Sequence, residues 1–158
     1  MADQEKQVLF QQMDEARAKI LSNLQLIEHQ AVIYTEGGWK LTDVINHMMV
    51  WEEISLISLQ AFREGKEGPV VEESVFNAQT VAERRHWSAE AIFAAWQSAR
   101  DQFKAAIAAI PEEQWRSQFL FPWGEQGDVA KMVSGLLWHE NEHLQDVLKV
   151  TGRSTGPG

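Results

Sequence analysis

The stretch GDVAKMVSGLLWHENEHLQDVLKV, residues 127–150, decides how the chain is read. After the Gly-Asp pair, Val129, Met132, Leu136, His139, His143, Val147 and Val150 recur at steps of three and four. That spacing gathers side chains on one face of an α-helix. Two positions on the face are histidines, and they frame His139-Glu140-Asn141-Glu142-His143, a match to the H-E-x-x-H pattern of zinc proteases. Zinc chemistry needs a third protein ligand and an open coordination position. Proteases of this class take the third ligand from downstream, but only fifteen residues follow His143, and none beyond Asp146 is His, Asp or Glu. They also hold peptide along a strand edge, and no sheet is expected here. The protease reading fails on both counts.

Working outward, three more stretches carry the helical period. Leu9, Met13, Ala16, Ile20, Leu24 and Ile27 form the first. Gly37-Gly38 breaks the chain before the second, where Val44, His47, Trp51, Ile54 and Ser58 share a stripe that REGKEGP at 63–69 ends. Ser88 is the expected N-cap of the third, which runs through Ile92, Trp96, Ala99, Phe103 and Ala106 until Pro111 stops it. Residues 71–86 suit a short helix over one end, and 117–124, SQFLFPWG, an apolar loop or single extended piece. Four long helices with connections of unequal length imply an all-α four-helix bundle. The bundle domain is expected over residues 1–151, with a flexible tail at 152–158.

The composition excludes several classes of function. A chain of 158 residues with 44% hydrophobic residues and seven tryptophans supports one folded domain. A formal charge of −9, with no basic patch beyond Arg84-Arg85, argues against a nucleic-acid partner. No cysteine is present, which removes disulfides, Cys-based zinc sites and a cysteine nucleophile, and suits a reducing cytoplasm. MADQEKQVLF at the N-terminus lacks the layout of a secretory leader, and no apolar run is long enough to span a membrane.

With downstream ligands excluded, the third metal ligand must come from upstream. His29 closes the first helix and His86 lies among charges in a connector, whereas His47 lies on an apolar stripe. His47, His139 and His143 are therefore the candidate metal ligands. A buried polar group without a partner costs about 1–3 kcal/mol, so three inward imidazoles call for something to satisfy them. Glu140 is the candidate general base. Asp43 and Asp146 lie on faces from which a carboxylate can anchor a ligand ring, although Asp43 equally suits a helix N-terminus. Trp51, Trp96 and Trp123 are candidate contacts to a bound cofactor or substrate, weighed against plain core packing for Trp51, Trp96 and Phe93. Trp123, in FPWG, is placed to cover the mouth of the site. Trp138 faces away from the ligand stripe, and an exposed indole there suggests a homodimer.

GGWKLTDVINHMMVWEE at 37–53, LLWHENEHLQDVLK at 136–149 and the PEEQW turn at 111–115, in that order, resemble the DinB/YfiT-like family of metal-dependent enzymes. The likeness covers nearly the whole chain. It implies an up-down-down-up bundle with a divalent ion, often zinc or nickel, on His47, His139 and His143, and frequent homodimers. For some members it implies transfer or isomerisation chemistry with a low-molecular-weight thiol such as bacillithiol or mycothiol. ClbS/DfsB-type and mycothiol-dependent maleylpyruvate isomerase-like proteins are neighbouring groups. Lys40 departs from the pattern, standing where many relatives cap the second helix with Ser or Thr. The expected function is thus a metal-dependent hydrolase or thiol-dependent transferase acting on a small molecule. The competing expectation is a non-catalytic protein that binds or sequesters a small molecule or metal.

Overall fold

The computed structural model describes residues 1–153; most of the tail expected at 152–158 lies outside the described residues. Four long helices, α1 (Ala2–Leu24), α2 (Leu41–Arg63), α4 (Ala89–Ala108) and α5 (Val129–Val150), carry the periodic stretches, and α3 (Glu73–Arg84) is the short helix expected between the second and third. Their starts follow local chemistry. The Ser88 hydroxyl accepts the Ala91 N–H at 3.1 Å, and the Asp128 carboxylate accepts that of Lys131 at 2.9 Å. At Lys40 the side chain cannot cap, so Asp43 reaches back and accepts the Lys40 backbone N–H at 2.9 Å. Asp43 therefore serves the helix start, and α2 begins without Ser or Thr.

The core fixes the directions of the helices. One apolar cluster takes Leu9 and Met13 of α1, Ile54 and Leu59 of α2, Phe103 and Ile107 of α4, and Val129 and Met132 of α5. The other takes Ile20 and Leu24, Val44 and Ile45, Ile92 and Trp96, and Leu144 and Val147. The first thus holds the beginnings of α1 and α5 and the ends of α2 and α4; the second holds the opposite ends. The order is up-down-down-up.

Between the clusters each long helix contributes one buried charge: Arg17, Glu52, Arg100 and Glu140. Arg100 donates to Glu52 Oε1 at 2.7 Å, Glu52 Oε2 at 3.3 Å, Glu140 Oε1 at 2.7 Å and the Met13 carbonyl at 3.1 Å. Arg17 donates to Glu140 at 3.2 Å and lies 3.7 Å from the Trp96 ring centroid. Burial works against the Arg100 cation, but Glu140 and Glu52 outweigh it and raise its pKa. Burial likewise raises the Glu52 pKa, against the pull of Arg100.

Two small ladders correct the expectation of no strand pairing. Val32–Tyr34 (β1) pairs antiparallel with Trp39–Lys40 (β2), and Phe119–Leu120 (β3) with Gln126–Gly127 (β4). The turns rely on residues at positive φ, Gly37 at 81°, Gly38 at 64° and Gly124 at 94°, where glycine carries no Cβ penalty. Such ladders are too short to show alternation in sequence. The first helix also stops at Leu24, leaving Ile27 buried in the following turn and His29 in an exposed loop. Among the described residues, no helix is long and apolar enough to cross a membrane.

Candidate metal centre

His47 projects from the second turn of α2, and His139 and His143 from successive turns of α5. Their Nε2 atoms meet: His47 to His139 is 3.0 Å, and His143 to His139 is 3.0 Å. Among the described residues these three side chains form the one group of potential metal ligands, with the ligand atoms within 4.8 Å of one another. Two metal–nitrogen bonds of about 2.1 Å opening at roughly 90–110° would put their nitrogens about 3.0–3.4 Å apart. The spacing fits an ion.

Protonation supports the same fit. Burial, with the neighbouring imidazoles, lowers the pKa of His47 to about 2, and burial with His143 lowers that of His139 to about 3. Burial lowers His143 too, against the opposing pull of Asp146. All three rings are therefore neutral at ordinary pH, with one bare nitrogen each. The hairpin decides which nitrogen is bare on His143. Tyr34 of β1 donates its only hydroxyl proton to Asp146 Oδ2 at 2.7 Å, so its oxygen accepts from His143 Nδ1 at 2.7 Å. Burial, followed by Asp146, raises the Tyr34 pKa, which keeps that proton in place. His143 is thereby held as the Nδ1–H tautomer with Nε2 bare, the form that ligates a metal.

A bare His143 Nε2 leaves the cluster short of directed protons. One proton on His139 Nε2 cannot point along both of its 3.0 Å contacts, and one on His47 leaves His139 and His143 facing each other lone pair to lone pair. A cation resolves both. The buried Nδ1 of His47 has no hydrogen-bond partner.

The other expected residues divide between site and core. Trp51 is buried, its ring 6.4 Å from that of His139, and its indole N–H is held by Asn77 of α3 at 2.8 Å. Trp123 stands 6.3 Å from Trp51. Together with Glu73, Glu125, Gly135, Leu136, Trp138 and His139 they line a cleft of about 210 Å³. Trp138, 65% exposed, forms a wall of that cleft. Trp96 is 1% exposed, packed in the core beneath Arg17, and lines no part of the cleft. Glu140 is 3% exposed, and its Oε1 accepts from both Arg100 and Arg17, while its buried Oε2 has no hydrogen-bond partner among the described residues. It follows His139 directly, but the helical turn sends it into the bundle waist. Arg84 pairs with Glu53 at 2.8 Å and Arg85 with Asp43 at 3.7 Å, so both dock α3.

Sequence reasoning missed Tyr34, Trp39 and three of the buried charges, Arg17, Glu52 and Arg100. Trp39 packs 5.1 Å from the His47 ring. Tyr34 and Trp39 carry no periodic signal, because a short hairpin brings them in. The charges did carry one. Arg17 stands four after Met13 and three before Ile20, and Arg100 four after Trp96 and three before Phe103, all in core phase.

The model of the DinB superfamily matches residues 8–147. Three solved structures share the fold. The mycothiol-dependent maleylpyruvate isomerase superposes with TM-score 0.74 at 14% identity, covering 91% of this chain and 60% of that one. A histidine-to-alanine mutant of the same isomerase superposes with TM-score 0.72 at 15% identity and the same coverage. YfiT from Bacillus subtilis, described as a probable metal-dependent hydrolase with an unusual four-helix bundle topology, superposes with TM-score 0.71 at 16% identity, covering 98% of this chain and 91% of that one. The chain thus spans about three-fifths of the isomerase's length. No curated protein matches it in sequence.

Proposed function

Because the chain belongs to the DinB superfamily, we propose that it is a metal-dependent enzyme that acts on a small molecule through a divalent ion on His47, His139 and His143. One observation carries the reading: three neutral imidazoles present Nε2 atoms in steps of 3.0 Å, and no arrangement of protons satisfies them all. Three imidazoles suit several first-row metals, zinc and nickel among them. Such an ion lowers the pKa of a bound water or thiol enough to supply a nucleophile near neutral pH.

The chain's own residues hold and shield the site. Tyr34 and Asp146 set the His143 tautomer, Trp39 packs on His47, and the indole-lined cleft admits a small molecule beside His139. Of hydrolysis and thiol transfer, thiol transfer asks less of these residues. With Glu140 bound to arginines, no carboxylate among the described residues is hydrogen-bonded to the three imidazoles as a base, and a thiol starts from a pKa of only about 8.5. The chain has no cysteine, so the thiol is a low-molecular-weight co-substrate. The likeness to a mycothiol-dependent isomerase supports that choice.

Elemental analysis of untagged protein tests the centre. Near-stoichiometric divalent metal is expected in the wild type and little in His47→Ala or His143→Ala. Equal metal in all three defeats the assignment. Thiol-dependent consumption of a model electrophile by the loaded protein then tests turnover; stoichiometric protection without turnover would point to sequestration.

A further inference from the structure

The cleft beside His139 has a definite chemical character. Its walls are the indoles of Trp51, Trp123 and Trp138, its charged groups are the carboxylates of Glu73 and Glu125, and none of its lining side chains is cationic. Glu125 accepts the Trp123 N–H at 2.7 Å and lies 3.7 Å from Lys131, so it is partly neutralised. Among the described residues Glu73 makes no ion pair and no side-chain hydrogen bond; it stands in the first turn of α3 with its carboxylate at the rim.

The cleft is also graded in depth. Buried Trp51 and half-buried His139 form the inner end, and exposed Glu73, Glu125 and Trp138 the outer one. The absence of a side chain at Gly135 lets the Trp123 ring lie against α5. A Cβ there would stand 3.3 Å from Trp123 Cζ2, tighter than ordinary contact.

The geometry points to an organic cation as the ligand: a small molecule whose ammonium group lies between the indoles and the two carboxylates while its other end reaches His139. Indole faces attract cations through the ring quadrupole, and more strongly where water is excluded. Two carboxylates at the mouth of a chain with net charge −9 add to that attraction and repel anions. Placing the charge at the rim also keeps it apart from an ion on the imidazoles. The inference deepens the proposed function by naming a substrate class. It rests on that reading only for what happens to the bound molecule, not for the binding.

A series of equal shape tests it: choline, the neutral 3,3-dimethylbutan-1-ol and the anionic 3,3-dimethylbutanoate. Each is titrated into full-length protein, both chelator-treated and zinc-loaded, with indole N–H resonances as the readout. Choline is expected to bind about tenfold or more tightly than the alcohol in both forms, to shift the signals of Trp123 and Trp138, and to lose that advantage in Glu73→Gln/Glu125→Gln. Equal affinity for choline and the alcohol, tighter binding of the anion, or shifts confined to other indoles overturns the proposal. Chelated protein reports cation preference whether or not metal ever binds, so this failure and failure of the metal centre are separable.

Discussion

Arg100→Met removes the cation that joins the bundle waist. Methionine fills much of the volume but forfeits four hydrogen bonds, two to Glu52, one to Glu140 and one to the Met13 carbonyl. Arg17 remains, 3.2 Å from Glu140 and 3.7 Å from Glu52, as the single cation for two buried carboxylates. Breaking a buried pair from one side costs about 3–5 kcal/mol, a large part of the roughly 5–15 kcal/mol that holds a domain folded. At about 2–4 °C per kcal/mol for a domain near this size, the melting temperature falls by about 6–20 °C.

The pH dependence of the loss separates charge from packing. Burial already raises Glu52 above its ordinary 4.5, and loss of Arg100 raises it further. A carboxyl with a raised folded-state pKa stabilises fully below its unfolded value and loses that contribution as pH climbs through the folded value. The deficit of Arg100→Met against the wild type is therefore smallest near pH 5 and grows toward pH 8. Urea midpoints followed by circular dichroism at both pH values measure it. A variant as stable as the wild type at pH 8, or a deficit equal at both, refutes the reasoning.

Two further predictions concern the imidazoles. Tyr34→Phe removes the oxygen that accepts from His143 Nδ1, so metal affinity falls about 10–100-fold in competition with a chromophoric chelator; unchanged affinity would show that the hairpin does not set the tautomer. In chelated protein His47 and His139 have pKa values of about 2 and 3 against an ordinary 6.5, so the unfolded chain binds more protons between those limits. Stability is then complete above about pH 6.5 and is lost as pH falls toward 3. Denaturant midpoints across that range measure the slope, which His47→Leu makes shallower; a flat wild-type profile counts against buried neutral rings.

The four long helices and the faces that carry the three clustered histidines were legible in the chain because a helix is local. Apolar side chains at steps of three and four announce a face, and His47, His139 and His143 fell on such faces. Ser88 and Asp128 marked helix starts by the same kind of short-range chemistry. Partnership across distance came from tertiary packing alone, of helix on helix and of the β1–β2 hairpin on α5. Tyr34 meets His143 over 109 residues and Arg17 meets Glu140 over 123, and no spacing rule reaches that far. One turn of α5 also sent Glu140 to the arginines while its neighbour His139 faced the cleft. Adjacent helical residues point about 100° apart, and which direction meets the other imidazoles and which meets counter-charge depends on the helices packed against each.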